Sequence, residues 1–381
     1  MALWNLGFRP FFLFAGAFAA IAIAAWVAQF AGWTGTHTLL AGPLWHAHEM
    51  VFGYAMAVIV GFLFTAVRNW TNQPTPTGAL LVVIVGFWLA ARLLVPTPWH
   101  LAAAGFDAAF AVAAAIGIGR PLFLSGNRRN FFFVVVLLGL GAANVCFYLA
   151  MAGVLAIDLT RDLQIGLDLI AFTMVVMSGR VIPMFTANAV PGANPRRLQA
   201  LEPVALGAVL ALLTADLLRL PNTATAAIAG VAAAIHAVRL VLWQPWRTRG
   251  RPILWILHAA YAWIVLHFAL RVCAAFDLVT MSVANHALTV GGIGALTLGM
   301  MTRTSRGHTG RPLVAGAAEV MAYVLILLAA AVRVLIPVLL PQDYYATAVV
   351  ISGLLWVGAF ALFTLAFSPM LSRPRVDGKP G

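Results

Sequence analysis

The sequence predicts an all-α protein with about twelve membrane-spanning helices. Of its 381 residues, 63% are hydrophobic and only 9% are charged, whereas soluble proteins carry about 25% charged residues. The apolar residues fall in runs of roughly 17–25, which is the length that crosses a bilayer as a helix. The predicted class is therefore a polytopic integral membrane protein whose main surroundings are the lipid bilayer.

The twelve apolar runs follow one another along the whole chain with short gaps. The first run begins behind Arg9 and is long enough to span a membrane, so we interpret it as a retained helix and not as a cleaved signal. The predicted spans lie near residues 10–30, 45–67, 78–95, 99–118, 131–155, 163–186, 203–219, 223–243, 253–275, 279–302, 313–336 and 345–368.

The net charge of +12 comes mainly from arginines, and their positions along the chain indicate how the protein is oriented in the membrane. Of the 23 basic residues, 22 are Arg, and most lie in the gaps between apolar runs. Sixteen of them lie on the side that carries both chain ends, so the positive-inside rule places both termini in the cytoplasm. Because the charges are explained by topology, no nucleic-acid surface is predicted.

A weak internal repeat accompanies this count. Arg92, Arg219 and Arg333 each stand shortly before a proline at the outer end of the third, seventh and eleventh helix. This pattern predicts one transmembrane domain, 1–381, built from three four-helix units near residues 1–120, 121–250 and 251–381. The alternative is that an Arg and a Pro simply anchor and end an outer helix terminus.

The motif WHAHEM, residues 45–50, heads the second span at its outer end. Ionisable groups in a membrane helix are costly and usually functional. On a regular helix His46, Glu49 and Met50 share one face while His48 lies on another. We therefore predict that His48 binds haem and that His46 with Glu49 or Met50 binds copper or orients a ligand. The alternative is an interfacial anchor in which Glu49 pairs with a histidine.

The tenth span contains a matching histidine. His48 precedes Gly61 by thirteen residues, and His286 precedes Gly299 by thirteen residues. Both helices run inward, so the two imidazoles are predicted at similar depth, which is what a bis-histidine haem requires. The sequence thus predicts His48 and His286 as axial ligands. The alternative is that the equal spacing is a coincidence.

Three further side chains are candidates for cofactor contacts. Arg180, inside the sixth span, is predicted to bind a haem propionate or to pair with an acid such as Glu202 or Glu319; a snorkelling Arg is the alternative. His258 is predicted either to bind a metal or to donate to a backbone carbonyl. His308 lies in a basic cytoplasmic turn that could bind an anion or haem propionates, although the positive-inside rule also explains that turn.

Several motifs, in order along nearly the whole chain, resemble the NnrS family. The resemblance implies a multi-pass protein of the bacterial inner membrane that contains b-type haem and copper and serves nitric oxide metabolism, denitrification and protection from nitrosative stress. The absence of a CxxCH motif is consistent with non-covalent haem. The motifs are NLGFRPFF at 5–12, WHAHEM at 45–50, GFLFTAVRNWT at 61–71, RVIP at 180–183 followed by FT at 185–186, and GHTGR at 307–311.

The leading hypothesis is therefore a haem- and copper-binding protein with nitric oxide as its small ligand. The sequence does not identify catalytic residues or an electron donor. A second hypothesis is a haem-free secondary transporter in which Arg180, Asp168 and Glu319 handle a solute or a proton. A third is a membrane reductase or oxidase, which would need an open coordination position at its metal.

Overall fold

The computed structural model describes residues 2–35 and 42–379, and twelve long helices account for most of them. Eleven are long and apolar enough to cross a membrane, and α3 is a shorter apolar helix. The predicted twelve-helix membrane fold is confirmed. The helices are α1 Phe8–Phe30, α2 Pro43–Thr71, α3 Gly78–Leu94, α4 His100–Leu124, α5 Phe132–Met151, α6 Leu159–Ala189, α7 Leu201–Leu218, α8 Asn222–Leu242, α9 Pro252–Ala275, α10 Met281–His308, α11 Ala317–Leu339 and α12 Tyr345–Ser372.

The observed ends differ from the predicted spans by a few residues and follow local chemistry. Asn72 ends α2 in the left-handed conformation, with φ of 52°, which Asn tolerates better than most residues. Pro252 opens α9 at a position where its missing N–H is not needed. The sixth helix is longer than predicted and continues through Pro183. Hydrophobic length therefore predicts where a helix lies, and capping chemistry decides where it ends.

Two helices change their winding at corresponding places. In α2 residues 49–55 are π-helical, and in α10 residues 287–294 are π-helical. Each segment begins directly after a histidine, His48 in α2 and His286 in α10. Because π-helical turns are rare and are common at functional sites, the match between these helices extends from residue spacing to backbone geometry.

The chain forms two compact units. The first contains residues 1–169, 304–312 and 364–381, and the second contains residues 170–303 and 313–363. Three helices, α6, α10 and α12, contribute residues to both units. The single domain and the three four-helix units of the sequence analysis stay predictions.

In the first unit, the two chain ends meet through Arg9. Its side chain is fully buried, and Nη1 donates to the carbonyl oxygens of Leu371 at 2.9 Å and Arg373 at 2.8 Å. These carbonyls lie at the C-terminal end of α12, where helix carbonyls lack partners and a positive charge is favourable. Arg9 is thus more than a topology signal, since it also caps a distant helix.

In the second unit, α9 packs closely against the π-helical part of α10. A side chain at Gly291 would collide with Trp263, and one at Gly292 would lie 2.9 Å from Ile264. Small residues allow such close approach of helices in membranes. The glycines of this segment therefore position α9 against the turn that follows His286.

The orientation can be tested with single cysteines on either side of α4. In a chain with Cys146 and Cys273 replaced by Ala, Trp99→Cys should react with a membrane-impermeant maleimide on intact spheroplasts, since Trp99 is exposed in a predicted outer loop. Ser125→Cys, also exposed, should react only after permeabilisation, because the positive-inside rule places it in the cytoplasm. The reverse labelling pattern would contradict the assigned orientation.

Candidate functional site

Four ionisable side chains from three helices form a buried cluster in the first unit, which we call the Arg92 network. His48 and Glu49 lie on α2, Arg92 on α3 and Asp107 on α4. Arg92 Nη1 donates to Glu49 Oε1 at 2.7 Å, and Nη2 donates to Asp107 Oδ1. His48 Nδ1 lies 2.8 Å from the same Glu49 oxygen. All four residues are at most 6% exposed, so each charge depends on its partners instead of on water.

Two residues of α5 complete the hydrogen bonding of this network. Tyr148 donates its hydroxyl to Asp107 Oδ2 at 3.1 Å. Asn144 Oδ1 lies 2.8 Å from His48 Nε2. Four successive helices are thus joined by polar contacts. In a low-dielectric interior such a network holds its members in place more strongly than isolated pairs do.

The π-helical turn of α2 brings the backbone close to Arg92. A Cβ atom at Gly53 would lie only 2.7 Å from Arg92 Nη1, so a larger residue there would displace the guanidinium. Trp88, one turn before Arg92 on α3, donates its indole N–H to the Gly53 carbonyl at 2.8 Å. The missing side chain and the accessible carbonyl at Gly53 together allow α3 to contact α2 at this level.

The predicted copper donors are placed differently from the expectation. His46 is half-buried and stacks on Trp26, with ring centroids 5.2 Å apart, whereas Glu49 bonds to His48 and Arg92. Met50 is half-buried. Within residues 2–35 and 42–379, no group of three or more His, Cys, Asp or Glu side chains could hold a metal ion. The switch to π-helix at Glu49 alters the spacing on which the shared face was predicted.

His48 has the hydrogen bonding of a positioned ligand. A metal-binding histidine usually donates its second ring N–H to a carboxylate or carbonyl, and Nδ1 of His48 faces the Glu49 carboxylate in this way. A bond from Nε2 to iron would replace the present contact with Asn144. The site therefore fits a ligand role for His48 if Asn144 turns away.

His286, in the second unit, is half-buried, and its Nδ1 is also bonded to an oxygen atom. Its Nδ1 donates to the carbonyl oxygen of Ser282 at 2.6 Å, four residues earlier in α10. With the proton on Nδ1, a neutral imidazole carries its lone pair on Nε2. This is the tautomer that a haem iron requires from a histidine bound through Nε2.

His258 on α9 is buried beside α6. The Thr186 hydroxyl donates to the carbonyl of Ile182 at 2.9 Å, so it accepts the Nε2 proton of His258 across 3.0 Å. Nδ1 of His258 is buried and has no hydrogen-bond partner among the described residues. His258 thus bonds to another helix through a threonine hydroxyl and not through the predicted backbone carbonyl, and its role as a metal ligand stays a prediction.

Arg180 is half-buried on α6, and Glu202, one of the two acids predicted as its partner, binds other cations. Glu202 accepts hydrogen bonds from Arg239 at 3.0 Å and from Arg197 at 3.1 Å. A side chain at Gly179 would collide with the Arg239 guanidinium. The sequence did not indicate the pair of Glu202 and Arg239, because the two residues are far apart in the chain.

His308 lies at the start of a turn that binds the C-terminal tail within the first unit. Its ring is 5.6 Å from that of Phe8, and its carbonyl accepts a bond from Arg375 at 3.1 Å. The N–H of Val376 donates to the Thr309 carbonyl at 3.1 Å. Beyond the membrane spans, hydrogen bonds from Arg375 hold the pKa of the Asp377 carboxyl well below its usual range. The GHTGR motif therefore has a structural role in binding the tail.

The fold and these buried sites define a multi-pass α-helical membrane protein. Its interior contains arginines paired with carboxylates, and histidines that are oriented by a hydrogen bond to one ring nitrogen. The family model described as NnrS protein matches residues 2–375. The chain therefore belongs to the NnrS family, as its motifs indicated. A search of curated proteins found no match.

Removing the charge of Arg92 should strongly destabilise the protein. In Arg92→Met the side-chain volume is nearly kept, but Glu49 and Asp107 lose their shared cation, and breaking a buried pair typically costs about 3–5 kcal/mol. The measurement is the free energy of unfolding of the purified protein in detergent. Arg219→Met is the matched control, because Arg219 is exposed and should change stability by less than about 0.5 kcal/mol. Equal losses in both variants would contradict the role given to the Arg92 network.

Proposed function

We propose that this protein binds b-type haem, and copper, in the bacterial inner membrane and serves the nitric oxide and nitrosative-stress response, with nitric oxide as its small ligand. The observation that supports the haem most directly is shared by two histidines. His48 and His286 each stand immediately before a π-helical segment, and each has Nδ1 bonded to an oxygen atom. That arrangement orients Nε2 and raises its basicity toward a metal.

The donor atoms fit haem iron better than they fit a closed copper site. Each unit contains an imidazole oriented by Nδ1, and His258 adds a buried ring nitrogen that has no partner in the part of the chain that the structure describes. Haem iron needs only one or two axial donors. For copper, His46 and Met50 remain the candidate imidazole and thioether donors, and the support for copper comes from the family resemblance of the motifs.

The chain's own residues would position the cofactor and shield it. Glu49 and Arg92 orient His48, and burial of these helices excludes water from the ring nitrogens. Bound haem would supply an iron that coordinates a small diatomic ligand. Arg180 and His308, both half-buried, are proposed to contact haem propionates by charge-assisted hydrogen bonds from the cytoplasmic side.

The transporter hypothesis receives less support from its proposed charges. Asp168 accepts a hydrogen bond from Gln164 within its own helix at 3.0 Å. Glu319 accepts the Gly316 N–H at 2.9 Å and caps α11. Both carboxylates thus contribute to local helix structure, which lowers the support for a role in transport.

The cofactor content can be measured directly. Protein purified in detergent after expression with ample haem should show sharp b-type bands in a reduced-minus-oxidised spectrum, together with stoichiometric iron and copper. The bands should shift on addition of nitric oxide or carbon monoxide if one coordination position is open. A colourless protein without iron would overturn the haem proposal and favour the transporter hypothesis.

Substitutions in the Arg92 network separate a ligand from a residue that orients it. His48→Ala should abolish or change the haem bands, because the proposed axial nitrogen is lost. Glu49→Gln should keep haem but raise its midpoint potential, since a neutral amide makes the imidazole a weaker donor. Glu202→Gln is the control, as Glu202 pairs with Arg239 and Arg197 and should leave the potential unchanged. A His48→Ala protein with the full wild-type spectrum would exclude His48 as a ligand.

A further inference from the structure

A second imidazole on α9 is buried more deeply than His258 and has no role in the proposal above. His267 is fully buried. Its Nδ1 lies 2.8 Å from the carbonyl oxygen of Ala284, to which it donates. Its Nε2 is inaccessible to solvent and has no hydrogen-bond partner among the described residues. One ring nitrogen is therefore bonded, while the other carries a buried lone pair.

Such an atom is costly for a folded protein. A buried polar atom without a partner destabilises the native state by about 1–3 kcal/mol, and native structures contain few of them. A Leu or Phe of similar volume would avoid this cost at position 267. The imidazole is thus better explained by a ligand of Nε2 than by packing alone.

The bond to Ala284 places His267 beside the changed turn of α10. Ala284 lies two residues before His286 and three before the π-helical segment begins. His286 itself donates to the carbonyl of Ser282, in the same turn. Two imidazoles of the second unit therefore use carbonyl groups from one turn of α10, and this bonding leaves the lone pair of each on Nε2.

The backbone around His267 is held rigidly. Trp263, one turn earlier on α9, occupies the space beside Gly291. One turn later, Arg271 donates to both carboxylate oxygens of Asp216, at 2.8 and 2.7 Å. α9 is thus fixed on both sides of His267, to α10 and to α7. A ligand atom held in this way has the preorganisation that a metal site needs.

We infer that His267 coordinates a transition-metal centre through Nε2, in the second unit. Its chemistry is that of a neutral imidazole donor oriented by a backbone carbonyl, which suits haem iron or copper. This inference rests on the proposed function and adds a ligand to it. His258, nine residues earlier on α9, lies about 13 Å away along the helix axis. His258 therefore cannot bind the same metal atom as His267.

The test uses a substitution that preserves the structural hydrogen bond. In His267→Asn the side-chain amide can still donate to Ala284, but the Nε2 atom is removed. Purified full-length protein is compared with wild type by its reduced-minus-oxidised spectrum, electron paramagnetic resonance, and iron and copper contents. If His267 binds haem iron, the haem bands shift or disappear while copper is kept. If it binds copper, the bound copper is lost while the haem bands remain.

The matched control is His236→Asn in α8. His236 is also a fully buried imidazole of the second unit, and its Nε2 likewise has no hydrogen-bond partner among the described residues. Its Nδ1, however, accepts a hydrogen bond from Arg239 at 3.2 Å, so Nε2 carries the proton and has no lone pair for a metal. Its substitution should leave spectra and metal contents unchanged. A His267→Asn protein that matches wild type in all of these measurements would overturn the inference. A wild-type protein without haem or copper would overturn the proposed function instead, so the two failures are distinguishable.

A second variant covers the case in which His267→Asn does not fold. His267→Met supplies a thioether, which binds haem iron or copper but changes the optical and paramagnetic spectra. A changed spectrum with metal retained supports coordination by residue 267. An unchanged spectrum in this variant would contradict it.

Discussion

The structure of the first unit depends on balancing the positive charge of one buried guanidinium with carboxylates. Arg92 lies between Glu49 and Asp107, with two bonds that join three helices. An ionised side chain without such partners would be too costly at this depth. The positions of α2, α3 and α4 are therefore coupled. Gly53 has to lack a side chain beside the guanidinium, and His48 has to present Nδ1 to the carboxylate that Arg92 also binds.

The π-helical segments of α2 and α10 are the second organising feature. A widened turn changes the direction of the side chains that follow it and frees backbone carbonyls for bonds to other groups. In α2 the Gly53 carbonyl accepts Trp88, and in α10 the Ala284 carbonyl, just before the segment, accepts His267. Glycines in both segments permit close helix contacts. The histidines thus lie where backbone irregularity, close packing and buried polar groups coincide, which is typical of functional sites in membrane helices.

Much of the second unit is held by pairs that span helices distant in sequence. Glu202 of α7 binds Arg239 of α8, whose guanidinium also donates to Tyr261 of α9 at 2.7 Å. Arg271 of α9 in turn binds Asp216 of α7. These contacts fix α9, which carries His258 and His267. Arg239 and Arg271 therefore help to set the geometry of these histidines.

The sequence by itself determined the membrane fold, the approximate twelve spans, the family and the correspondence between His48 and His286. These follow from local quantities, since an apolar run of sufficient length has to form a helix in lipid, and motif spacing is read along one chain. Only the tertiary structure decided which partner each polar group takes. Glu49 bonds to His48 and Arg92, Arg9 caps α12, and His267 has no partner for Nε2 among the described residues. Such choices depend on contacts between residues far apart in the chain and on a π-helical turn that shifts side-chain directions. No local pattern in the sequence indicated these long-range contacts or the π-helical turn.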